Sequence, residues 1–209
     1  MAERGVTGVR ADRRGLGPVG WAVAGVVIIA LVVAGAAGVH WWQERSPGGA
    51  VVGESLGQFP EIDTSALTPQ QAQVVAVLER EFDDPGDGPK YADGITEPWC
   101  ADFVSWVMRE AGTPLSNPHS GAWRIPGVYT LQEYYESAGR FVPFGAGYQP
   151  RTGDVLLYGD NSPFTQHTNI VLSAENGVLT TIGGNEFGTV RIHRFTVAEV
   201  PGVVGYGRI

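Results

Sequence analysis

The chain has 209 residues, 43% of them hydrophobic and 17% charged, a balance that excludes a disordered polymer and leaves room for one ordinary globular domain with chain to spare. Residues 1–42 hold Arg4, Arg10, Arg13 and Arg14 against Glu3 and Asp12, so 10 basic and 20 acidic residues remain for 43–209, a net charge of −10. That sign argues against nucleic acid as a partner, and a single cysteine excludes an internal disulfide framework and any multi-thiolate metal site.

Residues 1–18 read as a cytoplasmic tail and 19–40 as one transmembrane helix. Val19 to Val39 is uncharged over 21 residues, which at about 1.5 Å per residue makes a helix of roughly 32 Å, enough to span the hydrocarbon core. Trp21 and the Trp41–Trp42 pair suit the two interfaces, and the arginines before the segment place the N-terminus inside and the remainder outside the membrane. A cleaved signal peptide is the rival, with Ala34-Gly35-Ala36 resembling a cleavage site. Its apolar core is ordinarily only about 7–15 residues, so length favours an anchor. Either reading makes the rest of the chain extracytoplasmic.

Residues 41–67, with Pro47, Gly48, Gly49, Gly53, Gly57 and Pro60, read as a flexible linker. Thr68-Pro69-Gln70-Gln71 then offers an N-cap, a proline at the first helical position and a capping-box glutamine, which predicts a helix from Pro69 to about Phe82. The acidic loop around Asp83, Asp84, Asp87 and Asp93 lacks the ligand spacing of an EF-hand and reads as a solvated turn. A second, broadly apolar helix is predicted from Cys100 to Ala111, stopped by Gly112. Residues 113–153 look irregular, with a helical turn near Leu131–Ser137. Short β-branched and aromatic runs follow at Val155–Tyr158, Asn169–Leu172, Val178–Ile182, Val190–Phe195 and Val203–Tyr206. Helices first and consecutive strands afterwards predict an α+β domain with an antiparallel sheet over residues 68–209.

A lone cysteine in an exported domain cannot pair within the chain. Cys100 follows Pro98-Trp99 and falls at the first turn of the predicted central helix, where the open N–H groups and the positive dipole end favour thiolate. Taken alone, it could equally be a small buried hydrophobe. His167 opens a strand-like run after a polar loop, which suits a base pointing across at a helix start. Of the others, His40 borders the membrane segment, His119 lies in a loop, and His193 falls mid-strand, expected to face solvent. Asn185 follows the next strand and Gly183-Gly184, where an amide could orient the imidazole. A nucleophile on a helix, a base on a strand and an amide on the next strand form a papain-like order. Asp102 is expected to brace the helix start.

The blocks Trp99-Cys100-Ala101-Asp102-Phe103-Val104-Ser105-Trp106-Val107, Gly153-Asp154-Val155-Leu156-Leu157-Tyr158, His167-Thr168-Asn169-Ile170-Val171 and Ile182-Gly183-Gly184-Asn185 closely resemble the CHAP domain, the cysteine- and histidine-dependent amidohydrolase/peptidase branch of the NlpC/P60-type fold. The resemblance implies a papain-like fold with helices packed on the sheet, and cleavage of an amide bond in peptidoglycan as an amidase or stem-peptide endopeptidase. In that reading Cys100 is the nucleophile, His167 the general base and then acid, and Asn185 the orienting residue. Some members carry a glutamate where this chain has Gly183, so the third role rests on Asn185 or, less favoured, Glu186. Trp99 and Trp123 are assigned to substrate contact. No cofactor or metal is expected. Partners would be peptidoglycan, the membrane and further envelope proteins. The competing reading is a non-catalytic scaffold or wall-binding domain of a secretion or conjugation apparatus.

Overall fold

In the computed structural model, which describes residues 52–209, Thr68 starts the first helix as its capping box predicts. The Thr68 hydroxyl accepts from the Gln71 N–H at 3.2 Å, and the Gln71 side chain accepts from the Thr68 N–H at 2.9 Å. This helix, α1, runs Pro69–Asp83 and buries Val74, Val75, Val77 and Leu78. A single turn, α2 (Gly88–Tyr91), lies within the acidic loop. The central helix α3 (Cys100–Glu110) is buried from Cys100 to Met108, and Gly112 follows it at φ +76°, the left-handed conformation that ends a helix cheaply only at glycine. The predicted turn near Leu131 is a ten-residue helix, α4 (Val128–Ser137). Its N-cap, Gly127, offers no side-chain cap, and it buries only Val128, Leu131 and Tyr135, so the sequence signal is thin.

Seven strands, five of them at the runs expected, form one antiparallel sheet. They are β1 (Glu54–Leu56), β2 (Phe141–Pro143), β3 (Val155–Tyr158), β4 (His167–Glu175), β5 (Val178–Glu186), β6 (Thr189–Thr196) and β7 (Val203–Gly207), arranged β1-β6-β5-β4-β3-β7-β2. Two strands depart from expectation. β1 lies within the segment read as a flexible linker, where Glu54, Ser55 and Leu56 pair with Arg194, His193 and Ile192 at the edge of β6. β2 pairs with β7 in the stretch read as irregular. Each is three residues long, too short to display an alternating pattern.

Both faces of the sheet are covered. Val155, Leu157, Ile170, Leu172, Ile182 and Ile192 pack with α1, α3 and α4 in the larger cluster. Leu156, Tyr158, Val171, Leu179, Phe195 and Tyr206 form a second cluster closed by Phe164, Val197 and Val200. The predicted membrane segment 19–40 lies outside the described residues, and among those residues no helix is long and apolar enough to cross a membrane.

Candidate active site

Cys100 is the first residue of α3, after an N-cap, Trp99, that contributes no side-chain hydrogen bond. The first-turn N–H groups therefore keep their donors beside the sulfur. Cys100 is 7% exposed and stands beside His167, close enough to favour the charged imidazolium. His167 is the first residue of β4, directly opposite Tyr158 on β3. Its ring stacks on Tyr158 at 6.0 Å and packs on Phe164 at 5.2 Å, which fixes the plane of the imidazole. His167 Nε2 lies 3.2 Å from Glu186 Oε1, so Nδ1 is the nitrogen left for the sulfur. Burial works against a charge on His167, yet the interactions with Cys100 and Glu186 outweigh it and hold the imidazolium well above its ordinary range. Burial also opposes charge on Glu186, but contacts with His167 and His193 keep this carboxylate below its ordinary range.

Glu186, and not Asn185, is the partner of His167, and the register of the sheet explains the correction. Gly183 pairs with Arg191 and Glu186 with Thr189, three steps along β5 against two along β6. The extra residue is a β-bulge, and Asn185 absorbs it at φ +60°, a left-handed conformation that asparagine tolerates better than most residues. Side chains alternate faces along a strand, so the inserted residue puts Glu186 on the face that Gly183 occupies. A Cβ on Gly183 would stand 2.2 Å from Glu186 Oε1, and one on Gly184 would stand 2.5 Å from Phe103 Cβ. The two glycines thus make room for the Glu186 carboxylate and for α3.

His193 is also corrected. It is 3% exposed rather than facing solvent, because both faces of the sheet are covered, and its Nε2 lies 2.6 Å from Glu186 Oε2. Each oxygen of the buried carboxylate therefore meets an imidazole. His119 is exposed and lies 2.9 Å from Glu133 on α4.

The two tryptophans expected to touch substrate differ in exposure. Trp99 is 5% exposed, stacked on Tyr91 at 4.9 Å and 17° and packed between Gly88 and Gly184. Trp123 is half-buried with the Arg109 guanidinium 4.0 Å over its ring, near the other end of α3 from Cys100. Asp102 does brace the helix start: it is fully buried, with Arg124 Nε 2.7 Å from its Oδ1, and Arg124 also pairs with Glu97. Burial pushes the Asp102 carboxyl up to about 7. Among the described residues no cluster of side chains suits a metal ion.

A cysteine opening a buried helix, a histidine opening a central strand and a glutamate on the next strand define an α+β domain with a cysteine–histidine–glutamate series. Residues 91–185 match the family model described as the CHAP domain, a family generally of hydrolases and peptidases. The match takes in Cys100 and His167 and stops one residue short of Glu186. No curated protein matches the chain with significant similarity.

Proposed function

We propose that the domain is a peptidoglycan hydrolase that cleaves an amide bond by a papain-like thiol mechanism, held outside the membrane by segment 19–40. The series Cys100–His167–Glu186 is the observation that carries this reading. The Cys100 thiolate adds to the amide carbonyl. As the tetrahedral intermediate collapses, the C–N bond breaks, His167 gives its proton to the leaving amine, and a thioester remains. His167 then takes a proton from water, the hydroxide adds to the thioester, and the acid leaves with the thiolate restored. The Cys100 backbone N–H, uncapped at the start of α3, is the natural donor to the oxyanion. Glu186 keeps the ring oriented and supports its charge.

Cys100→Ala should abolish release of fragments from purified peptidoglycan while circular dichroism stays unchanged; persistent turnover would refute the mechanism. Mass spectrometry of products from defined muropeptides separates an amidase from a stem-peptide endopeptidase. The low exposure of Cys100 favours, as the second reading, a non-catalytic envelope scaffold. Rapid alkylation of Cys100 by iodoacetamide near neutral pH supports the enzyme, and an inert thiol supports the scaffold. Retention of the full chain in membranes after a high-salt wash tests the anchor.

A further inference from the structure

Nine lysine and arginine side chains lie among the described residues of this acidic domain. Five of them have a carboxylate no more than 3.8 Å away. Of the remaining four, Arg191 lies over the Phe187 ring at 4.8 Å. The other three, Arg140, Arg151 and Arg208, all line one open cavity of about 1250 Å³. They come from three separate parts of the chain: the turn after α4, the turn before β3 and the end of β7.

Two of the three are held in place without being neutralised. Arg140 donates to the Tyr134 hydroxyl and lies over the Tyr134 and Tyr135 rings at 5.4 and 5.9 Å, while Arg208 donates to the Gly139 carbonyl at 2.9 Å. Arg151 has no side-chain partner among the described residues. The buried carboxylate in the wall, Asp154, is turned to other work: its oxygens accept from the Tyr148 hydroxyl and from the Arg151 and Ile209 N–H groups. Glu175 also lines the cavity, so two side-chain carboxylates stand against three guanidinium groups. The cavity lies beside Ser173–Glu175, at the far end of β4 from His167, about 20 Å away at roughly 3.3 Å per residue. It is separate from the catalytic series.

We propose that this cavity binds a phosphate ester. Three guanidinium groups outnumber the two side-chain carboxylates of the wall and offer paired N–H donors, and a phosphate presents several acceptor oxygens to meet them. The volume exceeds what a bare phosphate fills, so the ligand has an organic body lying along Tyr148 and the start of α1. The chemistry is shared by a soluble polyol phosphate and a phospholipid headgroup, and the site stands whether or not Cys100 is a nucleophile.

The full chain is titrated calorimetrically, at constant ionic strength set with chloride, with glycerol 3-phosphate and with dihexanoyl phosphatidylglycerol below its micelle concentration. Saturable binding of either supports the site, and the tighter of the two names the source. Arg151→Gln, an exposed change that breaks no contact, should weaken it about tenfold, while Arg208→Lys, which keeps the charge, should weaken it less. Peptidoglycan turnover by both variants should stay at the parent level. Absence of saturable binding by either probe, or unchanged affinity in an Arg151→Gln/Arg208→Gln double variant with native circular dichroism, would overturn the proposal.

Discussion

Glu186 Oε1 occupies the place that a side chain on Gly183 would need: an ideal Cβ there falls 2.2 Å from that oxygen. Position 183 and position 186 compete for one space beside His167, and in this chain the bulge at Asn185 gives it to Glu186.

It follows that Glu186 and Asn185 separate cleanly by substitution. Glu186→Gln keeps the shape but removes the charge beside His167, and kcat should fall on the order of 10²-fold. Asn185→Gly keeps the φ of +60° and removes only the amide, so kcat should stay within about twofold. Steady-state turnover of muropeptides measures both. A large loss in Asn185→Gly with a mild one in Glu186→Gln would restore the amide as the orienting group.

Gly183→Ala is the complementary test. The clash is with the end of a side chain, so the fold survives, but the carboxylate must leave His167. We expect at least a tenfold drop in kcat, the scale of a disturbed acid–base pair, with a melting temperature shifted by only a few degrees. Thermal melts and turnover on one preparation check the two halves of this expectation.

The pH dependence carries a definite sign. Glu186 is held below its ordinary 4.5, so its ion pairs add stability that is fully present above that pH and is lost as pH falls toward the lower folded value. His167 is held above 6.5, so its contribution is complete below 6.5 and disappears as pH rises through the folded value. The alkaline limb of kcat/KM, where the imidazolium is lost, should therefore lie well above 6.5. Glu186→Gln should move that limb to lower pH. A pH–rate profile on parent and variant, with urea titrations at matching pH, reads both effects.

Much of this arrangement was legible in the amino-acid order, and the exceptions have physical causes. The capping box at Thr68, the stop at Gly112 and the placement of Cys100 at a helix start follow from local backbone chemistry, and they hold. Cys100 and His167 were identifiable because one is the chain's single thiol and the other opens a strand. Glu186 was ranked below Asn185 because a bulge changes which residues share a face, and no alternation pattern reveals a bulge in advance. His193 was expected to face solvent, whereas positions on both faces of β6 are buried. The burial of Trp99 was not legible, because it depends on the room that Gly88 and Gly184 leave for its ring.

Arg124 stands between Glu97 and the fully buried Asp102. Arg124→Met strands Asp102 without its cation, and the cost should be about 3 kcal/mol at pH 8, where the carboxyl must be charged. At pH 6 the loss should be smaller, because Asp102, already raised to about 7, takes up a proton instead. Denaturant titrations at the two pH values measure the difference.

The pairing of β1 with β6 sets the practical limits of the domain. Leu56, Phe59 and Ile62 rest on the main core, and Glu54–Leu56 occupies the outer border of the sheet. A chain trimmed to begin at Thr68 would leave the polar backbone of β6 open along Ile192–Arg194 and strip an apolar cover beside it, an invitation for copies to stick together strand against strand. Anyone preparing the domain without its leading segment should therefore start ahead of Gly53.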